Sequence, residues 1–132
     1  MKTLTLLCLL LLPSACAEEV SHDEKLATAR AVEFAETTFV RRNLERGYDL
    51  QADKVRSYVP LDKFMDKVKL VHRDGFPSKV TAAGAVPVKG EKLIHVRLRG
   101  EGGGERYQYG VTLTGTAATD YRVTNFSGGR TS

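Results

Sequence analysis

Hydrophobic residues recur every three or four positions between residues 21 and 47, which is the period of an α-helix with one apolar face. Ser21 and Glu24 match a capping box, so we predict that a long helix begins there. It is expected to run to Arg46 and to stop at Gly47, a residue type that readily takes the left-handed conformation of helix ends. Its apolar face is rich in alanine, which indicates close approach to another layer: Ala27, Ala31, Phe34, Ala35 and Phe39.

Two shorter helical patterns follow, over 48–59 and 61–72, and Pro60 separates them. The glycine, phenylalanine and proline at 75–77 are expected to end this helical half of the chain.

From Ser78 onward the hydrophobic period changes to two, which is typical of half-buried antiparallel strands. We predict strands at about 80–88, 94–99, 106–114 and 121–124, with a flexible tail over 128–132. The alternation directs one set of side chains inward: Ile94, Val96, Leu98, Tyr107, Tyr109, Val111, Leu113, Tyr121 and Val123. It directs a second, basic set to the outer face of the sheet: His95, Arg97, Arg99, Arg106 and Arg122.

The segment from Gly100 to Glu105 is expected to form the loop of a hairpin between the two central strands. Pairing Arg99 opposite Arg106 keeps the apolar residues of both strands on one face. The cross-strand pairs in that register are Leu98 with Tyr107, Val96 with Tyr109 and Ile94 with Val111. Helices followed by strands predict an α+β fold, with one long and two short helices on an antiparallel sheet of about four strands.

This arrangement resembles the nuclear transport factor 2-like superfamily, specifically its small secreted members. The resemblance lies in the long first helix, in the two short helices ending at Gly75-Phe76-Pro77, and in the closing hairpin Tyr107–Leu113 with Tyr121-Arg122-Val123. It implies a sheet that curls into a cone around the first helix, and it covers residues 22–127. The superfamily includes isomerases and dehydratases that use residues inside the cone, members that only bind or dock, and many homodimers. A cystatin-like helix on a sheet is the competing fold.

The N-terminus has the pattern of a secretory signal peptide, expected over residues 1–17. Lys2 precedes an apolar run from Leu4 to Leu12, and small residues follow. Ala15-Cys16-Ala17 fits cleavage before Glu18, which would release a single domain over 18–127 and its tail. Residues 12–16 also resemble a bacterial lipobox, in which Cys16 would be lipidated, although a proline stands where that pattern has an aliphatic residue. Both alternatives predict export, to the periplasm or to an outer-membrane anchor if the source is bacterial, and only a lipid on Cys16 would attach the protein to a membrane.

Composition narrows the function classes. The chain has 132 residues, 42% of them hydrophobic and 27% charged, which fits one globular domain. Loss of Lys2 with the signal peptide lowers the formal net charge from +4 to +3, too mild to suggest a nucleic-acid partner. Both cysteines, Cys8 and Cys16, lie in the N-terminal segment, so the mature domain has no thiolate ligand or nucleophile. No histidine pair has metal-ligand spacing, and we predict neither a metal site nor a cofactor.

The inward positions offer no acid–base pair, because tyrosine is their sole titratable type. We therefore predict no catalytic residues and favour an exported, non-catalytic binding or protein-interaction module of the cell envelope. Its docking surface would be the basic outer face, and its partner an acidic protein or an anionic envelope component. The alternative is an isomerase-like or dehydratase-like enzyme with a pocket lined by Tyr48, Phe34, Tyr107, Tyr109 and Tyr121. An immunity or inhibitor protein is a third hypothesis, and a homodimer is compatible with each of them.

Overall fold

A computed structural model of the protein describes residues 19–131. The predicted signal peptide, its two alternative cleavage points and the lipidation candidate Cys16 lie outside the described residues, so these expectations stay predictions. Within the described residues the chain has the α+β fold that the change of hydrophobic period predicts, with all helices before all strands.

The first helix, α1, spans Glu24–Ala35 and continues without a break as a π-helical turn over Glu36–Val40. Its N-cap is Asp23, which has an extended backbone and accepts a hydrogen bond on its carboxylate from the Leu26 N–H at 3.0 Å. The predicted capping box is therefore wrong. Ser21 cannot cap this helix, because it lies two residues before the N-cap.

The predicted long helix ends at Val40 rather than at Arg46. Arg42 has a left-handed φ of 56°, which turns the chain, and a new helix, α2, spans Leu44–Asp49. Asn43 caps α2, and its side-chain oxygen accepts a hydrogen bond from the Arg46 N–H at 3.2 Å. The hydrophobic period continues across this break, which is why the spacing predicted one helix instead of two.

The second of the two shorter patterns, 61–72, is confirmed as one helix, whereas the first, 48–59, is divided between the end of α2 and a separate helix that begins at Asp53. Helix α3 spans Asp53–Tyr58 and helix α4 spans Leu61–Val71, and Pro60 is the N-cap residue of α4. Proline has no N–H to donate, and it costs little before a helix begins because no intrahelical bond needs a donor there.

Four antiparallel strands form one curled, unclosed sheet with the order β1-β2-β3-β4. The strands are β1 Lys79–Pro87, β2 Leu93–Gly102, β3 Glu105–Thr114 and β4 Arg122–Thr131. The central hairpin is confirmed, with a tighter turn than expected, because only Gly103 and Gly104 lie between its strands.

The predicted register of the central hairpin is wrong by two residues, although the predicted faces are right. Arg99 lies opposite Gln108 rather than Arg106. Leu98 therefore pairs with Tyr109 instead of Tyr107, and the other apolar pairs shift equally: Val96 with Val111 and Ile94 with Leu113. A shift of two residues leaves every side chain on its original face, so the hydrophobic pattern cannot detect it.

The C-terminal segment is a strand rather than the predicted flexible tail, because β4 pairs with β3 as far as Thr131. Gly128 and Gly129 have φ values of 125° and 145°, in the region that favours glycine. A Cβ atom on Gly128 would lie 2.0 Å from the carbonyl oxygen of Gln108. The two glycines therefore allow β4 to stay paired with β3 at positions where the φ angle is positive.

The inner face of the sheet and the apolar face of α1 enclose a filled core. Phe34 is fully buried at its centre, with ring centroids 5.5–6.3 Å from those of Phe39, Phe64 and Phe126. Phe126 reaches this core because the pairing of β3 with β4 is irregular between Thr112 and Leu113, which resets the alternation along β4. Replacing a buried phenylalanine by alanine typically costs about 3–5 kcal/mol, so loss of any one of these rings should strongly destabilise the domain.

Candidate functional site on the outer sheet face

The residues predicted to line a pocket are parts of the packed core instead. Tyr48 donates its hydroxyl hydrogen to the carbonyl of Val59 at 2.5 Å, which fixes the ring beside Phe64. Tyr107 and Tyr109 stack on each other with parallel rings and are almost completely buried. These tyrosine rings therefore pack among core residues rather than standing open inside the cone.

Tyr121, the last residue of the predicted pocket, connects β4 to the start of α1. Its hydroxyl oxygen accepts a hydrogen bond from the Asp23 N–H at 2.9 Å and lies 3.1 Å from Nδ1 of His22. The other ring nitrogen of His22 lies 2.7 Å from the carbonyl oxygen of Glu91, to which it donates. These bonds give Tyr121 and His22 a structural role.

His72 is the buried titratable group that the sequence patterns did not reveal. Its Nδ1 lies 2.7 Å from the carbonyl oxygen of Val68, and its Nε2 lies 2.8 Å from the hydroxyl of Tyr109. Since a carbonyl only accepts, Nδ1 carries the hydrogen and Nε2 accepts from the tyrosine. Burial lowers the pKa of His72 and raises that of Tyr109, which stabilises this neutral pair.

The ring of His72 is also held by aromatic contacts. It stacks on Phe76 with a centroid distance of 4.5 Å, and it lies 4.7 Å from the ring of Phe39. The guanidinium of Arg42 lies over Phe76, 4.9 Å from the ring centroid. His72 thus connects α4, the π-helical turn and β3. These contacts explain why a histidine is buried here without assigning it a catalytic role.

The outward direction of the basic residues of the central strands is confirmed. His95, Arg97, Arg99 and Arg106 are exposed, and the residues that alternate with them on β2 are buried. Nδ1 of His95 lies 2.8 Å from the hydroxyl oxygen of Thr112 on the neighbouring strand. We call Arg97, Arg99 and Arg106 the arginine face.

Arg122 does not belong to the arginine face. It pairs with Thr114 at the opposite end of the sheet, and its guanidinium donates to the carbonyl of Asp49 at 2.8 Å. Its neighbour Asp120 is bound by Arg30 at 2.8 Å, and this hydrogen bond is the main reason that the pKa of the carboxyl is lowered. The prediction that all five basic residues share one surface is therefore corrected to a cluster of three arginines beside His95.

Two adjoining hollows, of about 350 and 410 Å³, lie along the arginine face. Arg99 and Gln108 line both of them. Arg97 and Tyr109 also line the first, and Arg106 and Tyr107 the second. Volumes of this size fall within the range of ligand sites in proteins.

Glycines take the positions beside Arg97 on both neighbouring strands, Gly84 on β1 and Gly110 on β3. Gly84 has a φ of 149°, so its backbone requires glycine. Gly110 differs, because its φ is ordinary and a Cβ there would meet only the side-chain oxygen of Ser127, at 3.3 Å. Glycine weakens a strand interior and often marks a close approach by a ligand or another backbone. The fold does not require Gly110, but an unobstructed hollow does.

The charge of the arginine face is not neutralised within the part of the chain that the structure describes. The ion pairs among residues 19–131 involve Arg30, Arg56 and Arg130, and none involves Arg97, Arg99 or Arg106. Glu101 lies across from Arg106 in the register, and Lys79 lies beside Glu101 on β1. The outer face around the hollows therefore carries four cationic side chains and one carboxylate, which favours an anionic ligand.

Residues 19–131 contain no group of three or more histidine, cysteine, aspartate or glutamate side chains placed to hold a metal ion. Among the described helices, none has the length and hydropathy needed to cross a bilayer. Comparisons with protein-family models, with curated proteins and with solved structures find no match to this chain.

Proposed function

We propose that this protein is an exported, non-catalytic binding module of the cell envelope, and that it docks an anionic partner protein on the arginine face. The observation that carries the proposal is the set of three exposed arginines, unpaired within residues 19–131, beside hollows of ligand-binding size. Guanidinium groups bind carboxylates through two parallel hydrogen bonds, which gives such a surface geometric specificity as well as charge.

Export is the part of the proposal that rests on sequence alone. A basic tip, an apolar run and an Ala-x-Ala site precede the described domain. Membership of the nuclear transport factor 2-like superfamily is also part of the proposal, and the support for it is an α+β fold with a first helix packed on a curled, unclosed sheet. A cell-envelope location would expose the arginine face to envelope proteins.

Core packing favours a binding module over the isomerase-like alternative. That enzyme would need a substrate to reach the ring of Tyr107 or Tyr109 inside the cone, and both residues are at most 3% exposed; they border the hollows of the outer face only at its floor. Phe34, which the alternative places in the same pocket, has no exposed surface. The accessible polar chemistry of the sheet therefore lies on its outer face.

Charge reversal tests the proposal. The double variant Arg97→Glu, Arg99→Glu should lose the partner that the wild-type protein captures from an envelope extract, because both guanidinium contacts become repulsive. The two side chains are exposed and bear no ion pair, so the free energy of unfolding should change by about 0.5 kcal/mol or less. The midpoint of urea unfolding should therefore stay nearly the same.

The matched control is Arg41→Glu, Arg73→Glu, which makes the same change of net charge at two exposed arginines outside the sheet. This control should retain the captured partner. Equal capture by the wild-type protein and by the Arg97→Glu, Arg99→Glu variant would refute docking on the arginine face.

A further inference from the structure

We infer that the occupant of the arginine face is an extended peptide segment with carboxylates at alternate positions, which lies along β2 over the two hollows. This inference rests on the proposed function and deepens it by naming the form of the partner. Arg97, Arg99, Gln108 and Gly110 supply the geometry on which it depends.

The spacing of the arginines selects an extended partner. Arg97 and Arg99 are two residues apart on one face of β2, and a strand rises about 3.3 Å per residue, so their Cα atoms are separated by about 6.6 Å. Carboxylates at positions i and i+2 of an extended peptide have the same separation and also point to one side. Each guanidinium can then bind one carboxylate without distortion of either chain.

The third arginine continues this match. Arg106 is paired with Glu101, the next outward position of β2 after Arg99, and it lines the second hollow. A third carboxylate, two positions further along the partner, would lie over this row, where Arg106 and Lys79 flank Glu101. The first two acidic positions therefore meet Arg97 and Arg99, and the third meets a row of two cations and one carboxylate whose net charge is still positive.

The floor of the hollow provides room for the backbone of the partner. Gly110 pairs with Arg97 and with Ser127, and the guanidinium of Arg97 lies on the other side, over Gly84, where a Cβ would be 3.4 Å from its terminal nitrogen. An extended backbone is narrow enough to lie over Gly110, whereas an α-helix with its side chains is about 10–12 Å wide. A glycine that the fold itself does not require is thereby explained as the contact point for another chain.

Two nine-residue peptides of the same composition test the inference. Each contains three glutamates among threonines and a fluorophore at one end. In the first peptide the glutamates are two residues apart, and in the second they are three apart, which places neighbours on opposite sides of an extended chain but on one side of a helix. Binding to the purified full chain is measured by fluorescence anisotropy at low ionic strength.

We expect the first peptide to bind about tenfold more tightly than the second, because only the first can engage adjacent arginines together. The variant Arg97→Glu, Arg99→Glu should abolish this difference, and Arg41→Glu, Arg73→Glu should preserve it. Gly110→Val should weaken the first peptide by about tenfold, because a branched side chain fills the floor of the hollow. Thr114→Val, an outward substitution at the far end of β3, should leave binding unchanged.

Equal binding of the two peptides, tighter binding of the second, or no binding of either would overturn the inference. A vesicle containing phosphatidylglycerol is included as a further probe. Binding of such vesicles that depends on Arg97 and Arg99, without any preference between the peptides, would replace the peptide by a lipid surface. The two proposals fail separately. If partner capture depends on Arg97 and Arg99 but the two peptides bind equally, only the inferred spacing of the carboxylates is refuted. If the charge-reversed variant captures the partner as well as the wild type does, the proposed function is refuted.

Discussion

At the scale of single residues, both ring nitrogens of His72 have neutral partners, the Val68 carbonyl and the Tyr109 hydroxyl. A proton added to Nε2 would remove the acceptor of the tyrosine hydrogen, and burial adds the cost of desolvating the charge. Burial is the main cause and outweighs the hydrogen bond to the Val68 carbonyl, which acts in the opposite direction, so the pKa of His72 is lowered from its usual value of 6.5. The folded state therefore binds this proton less readily than the unfolded state does.

This linkage predicts how stability depends on pH. Stability from His72 should be fully present above the unfolded pKa of 6.5 and should be lost as the pH falls through the lower pKa of the folded state. Urea unfolding between pH 8 and about pH 5 should show this decline in the wild-type protein. It should be absent from His72→Gln, and the exposed control His95→Gln should retain it. An identical decline in His72→Gln would contradict the assignment.

Sequence alone could place some of these side chains and not others. Alternation along one strand determines that His95, Arg97 and Arg99 point away from the apolar residues between them, so their direction was predictable. The environment of His72 depends on Phe39, Phe76 and Tyr109, which come from three separate parts of the chain. No local pattern contains that information.

At the scale of elements, the type of each helix and strand followed from its period, and the errors occurred where backbone conformation decided the outcome. The left-handed Arg42 ends the first helix within an unbroken hydrophobic pattern. Asn43, a favoured N-cap residue type, is the local signal in the sequence for this break. The glycines at 128 and 129 predicted a flexible tail, but they lie within β4. Glycine content alone does not distinguish a strand that needs glycine from a segment that is unstructured.

The two kinds of strand glycine give a testable contrast. Gly128→Ala should destabilise the protein by about 2–3 kcal/mol, since the new Cβ would lie against the Gln108 carbonyl and the backbone has a φ of 125°. Gly110→Ala, on the adjacent strand, should change stability by less than about 1 kcal/mol, because its backbone is ordinary and its nearest neighbour can rotate. Chemical denaturation of both variants provides the measurement, and equal destabilisation would refute the contrast.

At the scale of the whole molecule, the change of period from about 3.6 to two was sufficient to predict an α+β fold. It was not sufficient to predict how completely the space under α1 is filled. Phe34, Phe64 and Phe126 come from α1, α4 and β4, and they meet only after the sheet has curled. The membership of the arginine face was not predictable either, because it depends on the strand register. That register places Arg99 beside Gln108 and leaves Arg122 at the far end of the sheet.

Under the proposed function, the partner binds on the outer face of the sheet rather than in the interior. The most direct test is a nuclear magnetic resonance titration of the labelled protein with the peptide whose glutamates alternate. We predict that the largest amide shift changes occur on the central hairpin, at Arg97, Arg99, Arg106, Gln108 and Gly110. Changes centred on α1 and on the rings of Phe34 and Tyr109, with the central hairpin unaffected, would contradict the account.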